Sequence, residues 1–316
     1  MSLENQRRVD SPFDARSTAA QVINGHDLTG RTTLVTGGYS GIGLETVRAL
    51  AGAGARVLVP ARDPARAKAA LDGLGQVEVL ALDLADPASA AACAGDVRER
   101  TPMLDLLICN AGIMACPEQR TPSGRELQFA TNHLGHFALA NALSDLMAGR
   151  PGARLVMLSS VAHMVSPVDF DDPDFTTRAY EKWTAYGQSK TANALFALGF
   201  NARHAGQGVE AFSVHPGGIM TGLQRDMDEA EMRALGWIEA DGSVNARFKS
   251  VEQGAATTVW AAVSPLLTGR GGAYCEDCNI AEPAQERGWS GVRPYAVDRD
   301  GAERLWTLSE RLLAEG

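Results

Sequence analysis

The sequence predicts an α/β fold in which about seven parallel strands form a doubly wound sheet with helices on both faces. Along most of the 316 residues, short β-branched apolar segments alternate with alanine-rich segments of helical length, a pattern typical of βαβ units. The strand segments are almost continuously apolar, as expected for a sheet covered on both faces. Because the strands form one alternating series, we expect a single domain rather than two.

The predicted elements follow one another in order along the chain. Residues 1–29 precede the first strand, and we predict a surface arm with a short helix near 18–24 and disorder at its extreme end. The domain proper is expected to span residues 30–316. Its predicted strands are 32–36, 56–60, 77–82, 105–109, 154–158, 209–214 and 272–275. Its predicted helices are 42–53, 64–72, 87–100, 123–148, 184–204 and 251–263.

Two long segments interrupt the alternation of strands and helices. Residues 163–183 are polar and acidic and contain Pro167 and Pro173, and residues 219–250 are rich in methionine and charged side chains. Long loops on an α/β scaffold often cover a binding site. We therefore predict that both segments are substrate loops.

Composition and charge argue against several classes of partner. The formal net charge is -9 and no basic run is present, so the electrostatic signature of nucleic-acid binding is missing. No stretch approaches the roughly 18 uncharged apolar residues that a membrane-spanning helix needs. The first sixteen residues carry charges throughout and have no apolar core, which argues against a secretory signal. We expect a cytoplasmic protein with neither a nucleic-acid nor a membrane partner.

The cysteines and histidines do not predict a metal site. Cys275 and Cys278 form a lone CxxC pair among five cysteines, whereas a structural zinc site needs a second pair of ligands. We interpret them as ordinary loop cysteines with free thiols, as in a reducing compartment. The histidines lack metal-ligand spacing, so packing and turn roles are expected for them.

A glycine-rich turn follows the first predicted strand and opens the first long helix. Gly37, Gly41 and Gly43 stand within the sequence Thr-Gly-Gly-Tyr-Ser-Gly-Ile-Gly that ends at residue 43. Glycines allow the backbone to approach a pyrophosphate closely, and a helix N-terminus supplies N–H donors. The turn therefore predicts a dinucleotide site in a Rossmann-type fold, with Tyr39, Ser40 and Ile42 among the contacts. The alternative is a plain glycine-rich turn.

The end of the second strand indicates which dinucleotide is preferred. An acidic residue there would bind the ribose hydroxyls of NAD, but Ala61 occupies that place and Arg62 follows. A guanidinium is a good partner for a 2′-phosphate. The sequence thus favours NADP(H), with NAD(H) as the alternative if Arg62 only solvates a loop or Asp63 turns inward.

Tyr186 and Lys190 are four residues apart in a predicted helix, so their side chains share one face. A tyrosine, whose pKa is ordinarily about 10, becomes a better proton donor when a nearby positive charge lowers that pKa. Tyr-x-x-x-Lys is a weak signal alone, because many helices contain such a pair by chance. Here Ser159 and Ser160 follow a strand upstream and supply a hydroxyl partner.

Taken together, the motifs resemble those of the classical-type short-chain dehydrogenase/reductase family over about residues 28–280. The resemblance is carried by Thr36-Gly37-x3-Gly41-x-Gly43, Asp83-Leu84, Asn110-Ala111-Gly112, Asn132, Ser160, Tyr186-x3-Lys190 and Pro216-Gly217. Within the family the chain is most similar to the retinol-dehydrogenase-like and WW-domain-oxidoreductase-like branch. Asn-His-Leu-Gly-His-Phe at 132–137, Ser-Ser-Val-Ala-His at 159–163 and the long separation of Ser160 from Tyr186 carry that finer match.

The resemblance implies a role for each matched residue. Tyr186 would be the general acid in carbonyl reduction, with its pKa lowered by Lys190, which would also bond the nicotinamide ribose. Ser160 would bond the substrate oxygen, and Asn132 would hold a water in the proton relay. The further implied cofactor contacts are Asp83, Leu84, Asn110, Ala111, Gly112, Pro216, Gly217, Gly218 and Thr221.

Several alternatives stay open at this stage. Ser159 is a rival for Ser160, and Tyr180 is a rival phenol without a lysine four residues later. Asp83 could close a turn, and Asn132 could be a buried polar residue bonded to backbone. We predict an NADP(H)-dependent oxidoreductase that interconverts a ketone or aldehyde and an alcohol on a fairly apolar small molecule. The alternatives are an NADP(H)-binding sensor or scaffold without turnover, and a C=C reductase or epimerase. The resemblance also implies a dimer or tetramer.

Overall fold

An eight-stranded sheet forms the centre of the protein, of which the computed structural model describes residue 3, residues 6–286 and residues 288–315. The strands are β1 Thr32–Val35, β2 Arg56–Ala61, β3 Val77–Ala81, β4 Leu106–Cys109, β5 Ala153–Leu158, β6 Val209–His215, β7 Tyr274–Glu276 and β8 Asn279–Ile280. Their order across the sheet is β3-β2-β1-β4-β5-β6-β7-β8. The first seven are parallel, and β8 pairs antiparallel with β7.

Helices cover both faces of the sheet. They are α1 Ala19–Ile23, α2 Gly41–Gly52, α3 Pro64–Ala70, α4 Pro87–Arg100, α5 Leu127–Phe129, α6 Gly135–Met147, α7 Lys182–His204, α8 Glu229–Ala234, α9 Val251–Val263 and α10 Arg299–Ala314. One core cluster joins the sheet to α4, α6, α7 and α10. The other joins it to α1, α2, α3 and α9. The predicted doubly wound α/β fold is confirmed.

The end of the sheet differs from the prediction, because an eighth strand follows the seventh after a tight turn. Asp277 and Cys278 both have left-handed backbone conformations in that turn, with φ of 50° and 52°. Cys275 lies in β7, and both cysteine side chains are fully buried. The loop position predicted for the pair is therefore wrong for Cys275 only, because Cys278 lies in the turn; both thiols are free, and burial raises the pKa of both.

The helix predicted at 123–148 is interrupted. It begins with α5, because the carboxylate of Glu126 accepts the N–H groups of Gln128 and Phe129 at 2.9 and 2.6 Å and so caps the first turn. A π-turn, Ala130–Leu134, then joins α5 to α6. Single π-turns of this kind often occur at functional sites, and this one contains Asn132.

Helix α10 was not among the predicted elements, yet it completes the core. Trp306 packs with its ring centre 4.9 Å from that of Phe137 and 5.8 Å from that of Phe196. Leu305 and Leu308 of the same helix are buried beside it. Phe196 of α7 is thus part of the intramolecular core.

The N-terminal arm lies along the domain surface and is attached to it at several points. The predicted short helix is confirmed as α1, which Thr18 caps and which packs on α9 through buried Ala19 and Val22. Arg16 donates to the carbonyl oxygens of Ala246 and Phe248 at 3.0 and 3.3 Å. The disorder expected at the extreme end concerns residues that lie mostly outside the described part of the chain.

Candidate active site

The predicted site residues converge at the carboxyl ends of β1 and β4. These strands are neighbours, and the strand order reverses between them, which is where open α/β sheets bind ligands. Directly after β1, the Thr36 hydroxyl accepts the N–H groups of Asn110 and Ala111 at 2.9 and 3.0 Å. This pair of bonds ties the start of the glycine turn to the end of β4.

The glycine turn is packed too tightly for side chains at two of its positions. A Cβ at Gly37, whose φ is +64°, would lie 3.0 Å from the Cα of Ala111. A Cβ at Gly43 would overlap the side-chain nitrogen of Asn110 and the carbonyl oxygen of Gly37. The turn therefore presents bare backbone beside the Asn110–Ala111 segment.

The N-terminus of α2 is open. Ser40 is the residue that precedes the helix, but its exposed side chain makes no capping hydrogen bond. The first N–H groups of a helix need external partners, and together with the helix dipole they favour an anion. Tyr39 and Ile42 turn partly into the core and hold the turn in place.

Asn110 shows how well these residues fit a dinucleotide. Its side-chain nitrogen donates to the carbonyl oxygen of Thr36 at 2.9 Å, whereas its Oδ1 is buried and has no partner within the described chain. A buried unpartnered acceptor is costly. The orphan acceptor suits a donor such as a ribose hydroxyl, and the bare glycine turn and open helix end suit a pyrophosphate, so together they fit a dinucleotide.

The four predicted catalytic residues lie together beside this turn. The Ser160 hydroxyl lies close enough to the Tyr186 phenol to lower its pKa. The Lys190 Nζ lies 5.5 Å from the centre of the Tyr186 ring and donates to the carbonyl oxygen of Leu158 at 3.2 Å. A Cβ at Gly112 would lie 3.1 Å from Asn132 Oδ1 and 3.5 Å from Lys190 Nζ, which connects this cluster to the end of β4.

Asn132 is held by backbone on one side and by a hydroxyl on the other. Its Oδ1 accepts the N–H of Ile113, and its Nδ2 donates to the Ile113 carbonyl and to the Ser189 hydroxyl, each at 2.9 Å. The side chain therefore fixes the loop after β4 against α7. Ser189 was not among the predicted site residues.

Burial has the largest effect on the pKa of Tyr186. It raises the pKa of the phenol to about 12, although the neighbouring Ser160 hydroxyl opposes the rise. Burial also lowers the pKa of Lys190 to about 8, since desolvation disfavours the charged amine. The helical spacing is as predicted, and the lowering of the Tyr186 pKa by Lys190 stays a prediction.

The two rival residues have other partners. Ser159 is buried and donates to the carbonyl oxygen of Lys190 at 2.7 Å. Tyr180 donates to the carbonyl oxygen of Cys116 and receives a bond from Gln128, and burial raises its pKa further above the usual range. Both rivals are thus bonded elsewhere, whereas Tyr186 lies beside Ser160.

The end of β2 has an uncharged residue followed by an exposed arginine. Ala61 is buried, and Arg62 is exposed and has no ion-pair partner among the described residues. Asp63 does not turn inward, because its Oδ1 accepts the N–H of Arg66 at 3.0 Å and caps α3. After β3, the Asp83 carboxylate accepts the N–H of Ala85 in a turn, and Leu84 is buried under α6.

Residues 216–221 pass over the glycine turn from the other side. A Cβ on Gly41 would lie 3.4 Å from the Cβ of Thr221, its nearest neighbour. Gly217, with φ of +106°, lies on the aliphatic chain of Lys249, whose amine pairs with Asp277 at 2.6 Å. Pro216 begins this segment directly after β6, and Gly218 faces the ring of Phe248.

Apolar side chains surround the Tyr186 ring. Trp183 packs edge-on with its ring centre 6.3 Å from that of Tyr186, and Trp237 lies 5.8 Å beyond Trp183. Trp237 comes from residues 219–250, and so do three other members of this apolar cluster, Leu223, Met227 and Met232. The sequence prediction did not single out any of these side chains, because apolar residues in a loop carry no chemical signature.

The other segment, 163–183, is held both by its own hydrogen bonds and by bonds to the residues around it. The Asp172 carboxylate accepts bonds from the backbone and hydroxyls of Thr176 and Thr177. Gln188 donates to the carbonyl oxygen of Pro173 at 2.8 Å. Trp183, at the end of this segment, and Ala162, just before its start, pack in the same apolar cluster as Tyr186.

Within the described ranges, no group of His, Cys, Asp and Glu side chains has the arrangement of a metal site. His136, His163 and His215 are instead bonded to the protein and have pKa values lowered by burial to about 4, about 4 and about 3. In the same part of the chain, no helix is long and apolar enough to cross a membrane.

Comparison with known proteins identifies the family to which this fold and site belong. The family model described as short chain dehydrogenase matches residues 31–232. The chain belongs to the short-chain dehydrogenase family. This short-chain dehydrogenase is 46% identical over 300 residues to a Streptomyces lividans protein named "Probable oxidoreductase", with 92% of this chain and 100% of that protein covered.

Two further comparisons agree with the predicted branch and fold. The chain is 34% identical to the human WW domain-containing oxidoreductase over 96% of this chain and 73% of that protein. A solved structure of an uncharacterized protein from Mycobacterium paratuberculosis is 33% identical, with a TM-score of 0.73 and coverage of 95% and 98% of the two chains. The predicted family and branch are confirmed, and the protein is an oxidoreductase of a family that uses NAD or NADP.

Proposed function

We propose that this short-chain dehydrogenase uses NADP(H) to interconvert a ketone or aldehyde and an alcohol on a fairly apolar small molecule. The observation that carries the proposal is the position of Tyr186. Its phenol lies beside Ser160 and among apolar side chains, while the open glycine turn and Asn110 lie on the adjoining side.

The residues divide the chemistry between them. The nicotinamide cofactor, when bound, supplies or accepts the hydride. Because the pKa of Tyr186 is raised to about 12, its phenol keeps a proton at neutral pH and can donate it to the oxygen of a reduced carbonyl. Ser160 orients that oxygen, and Lys190 and Asn132 hold the surrounding backbone and loop.

The preference for NADP(H) rests on Arg62. An Arg62→Asp variant should lose about hundredfold in its NADPH over NADH ratio of kcat/KM, because a charged hydrogen bond to a 2′-phosphate is replaced by repulsion. Lys68→Asp is the matched control, since it makes the same charge change at an exposed position in the last turn of α3. Steady-state kinetics with both nucleotides measure the ratio, and unchanged selectivity in Arg62→Asp would refute the role of Arg62.

The proposed substrate class rests on the aromatic wall beside Tyr186. Trp237→Ala should raise KM for bulky apolar carbonyls about tenfold, since it removes a large buried contact surface, and should change KM for acetaldehyde little. Trp289→Ala is the control, because Trp289 is 72% exposed and is not grouped with Tyr186. Equal KM changes for large and small carbonyls would contradict an apolar substrate wall.

The deciding experiment is NADPH oxidation across a panel of ketones and aldehydes, with NADH as control. Binding of NADPH without oxidation would favour the sensor or scaffold alternative. Product analysis on an unsaturated ketone separates reduction of C=O from reduction of C=C. The cytoplasmic location, the dimer or tetramer and the substrate-loop roles of residues 163–183 and 219–250 stay predictions.

A further inference from the structure

His136 lies in the first turn of α6 and joins two parts of the candidate site. The ring is completely buried. Its Nδ1 lies 2.9 Å from the carbonyl oxygen of Asn132, and its Nε2 lies 2.9 Å from the hydroxyl of Thr36. One imidazole therefore contacts both the π-turn that holds Asn132 and the first residue of the glycine turn.

The partners determine which nitrogen carries the proton. A carbonyl oxygen only accepts, so Nδ1 must donate to Asn132. Nε2 is then the acceptor, and the Thr36 hydroxyl donates to it. This leaves the Thr36 oxygen free to accept the N–H groups of Asn110 and Ala111, which lie 2.9 and 3.0 Å away. Each hydrogen bond in this series has a single permitted direction.

Burial keeps this arrangement stable over a wide pH range. The pKa of His136 is lowered to about 4, first by desolvation and further by the charge of Lys190, against the opposing effect of the bond to Asn132. The ring is therefore neutral at physiological pH, as an acceptor at Nε2 requires. A charged ring would have two donors and would lose the bond from the Thr36 hydroxyl.

We propose that His136 is a positioning residue that couples the dinucleotide cradle to Asn132, an inference that rests on the proposed function. On one side it orients Thr36, and through it the Asn110–Ala111 segment beneath the glycine turn. On the other it holds the main chain of Asn132, whose side chain fixes Ile113 and Ser189. Loss of the ring should therefore disturb cofactor binding and the chemical step together.

His133, in the π-turn that precedes α6, offers a matched control. It is also completely buried, and its pKa is likewise lowered, to about 3. Its Nε2, however, bonds the hydroxyl of Ser309 in α10 at 2.7 Å, and its ring packs against Phe129 and Phe196. Substitution at this position should affect the stability of the contact between the π-turn and α10 but not the cradle.

The test compares Phe, Asn and Gln at both histidines. His136→Phe removes both bonds and should raise the Kd of NADPH and lower kcat, each by about tenfold to hundredfold, since displacements near 1 Å have effects of that size. His136→Asn keeps a donor near the Nδ1 position, and His136→Gln keeps an amide that can reach Thr36. Each should therefore retain more function than the Phe variant. The His133 variants should lower Tm while leaving Kd and kcat within about twofold of wild type.

Three measurements separate the outcomes. NADPH fluorescence titration gives Kd without turnover, and thermal denaturation gives Tm. Imidazole ¹⁵N NMR of the unmodified protein reports the tautomer, which should be neutral with the proton on Nδ1 from about pH 5 to pH 9, above the pKa lowered by burial. If His136→Phe does not fold, the Asn and Gln variants carry the comparison.

The proposed function and this inference fail in different ways. A wild type that binds no NADPH overturns the proposed function, and the coupling proposal with it. A wild type that binds and turns over NADPH, while its His136 variants behave like the His133 variants, overturns the coupling alone. A proton on Nε2, or a ring that is charged at neutral pH, also overturns it.

Discussion

Tyr186→Phe is expected to lower kcat for carbonyl reduction by a factor of about 10² to 10⁴, which is the usual contribution of a positioned general acid. The substitution removes only the hydroxyl. Because the ring stays among Trp183, Met114 and Met227, the apolar wall is preserved. The Kd of NADPH, measured by fluorescence titration, should change little, since the phenol proton serves the substrate oxygen rather than the glycine turn.

Tyr180→Phe is the matched control for this experiment. It removes a second buried phenol, which bonds to Cys116 and Gln128 rather than to Ser160. Loss of these bonds should lower the free energy of unfolding by about 1–3 kcal/mol while kcat stays within about threefold of wild type. Near-full reductase activity in Tyr186→Phe would show that another group donates the proton.

Gly43→Ala is expected to raise the Kd of NADPH by about tenfold or more, as well as to lower Tm. The added methyl group would overlap the Asn110 side chain and the Gly37 carbonyl, so the turn and the end of β4 must move apart. Overpacking of this kind costs about 1–3 kcal/mol, equivalent to about a five- to hundredfold change in an equilibrium constant. Titration with NADPH and thermal denaturation measure the two effects.

Gly52→Ala is the control within the same helix. No atom lies within 4 Å of the position its Cβ would take. Replacing a helical glycine with alanine there should stabilise the protein by about 0.5–1 kcal/mol and leave the Kd of NADPH unchanged. If Gly43→Ala binds NADPH as tightly as Gly52→Ala, the glycine turn is not the cofactor cradle.

Local patterns were sufficient to predict most of the fold and the members of the candidate site. The apolar strands and the glycine turn predicted the sheet and the place where β1 meets α2, and the i, i+4 spacing placed Tyr186 and Lys190 on one face of α7. The order of residues in the chain was also enough to compare Ala61 and Asp63 as candidates for the ribose-binding position at the end of β2. Such features depend on neighbouring residues in the chain, which the sequence displays directly.

Other features depend on contacts between distant segments. Helix α10 completes the core through Trp306, and α10 follows the last predicted helix by more than thirty residues. The aromatic wall joins Trp183, at the start of α7, to Trp237 in the segment 219–250. For His136 the sequence predicts only a packing or turn role, because the residues next to it in the chain do not reveal that Thr36 and the π-turn are its partners.

The sequence was sufficient to establish an α/β nucleotide-binding fold and to propose Asn132, Ser160, Tyr186 and Lys190 as one set, because spacing and element order are local properties. It did not establish the protonation behaviour of that set. Burial raises the pKa of Tyr186 and lowers that of Lys190, so the attraction expected between them is not the dominant effect. Desolvation depends on every segment packed around a group, and only the tertiary structure supplies those neighbours.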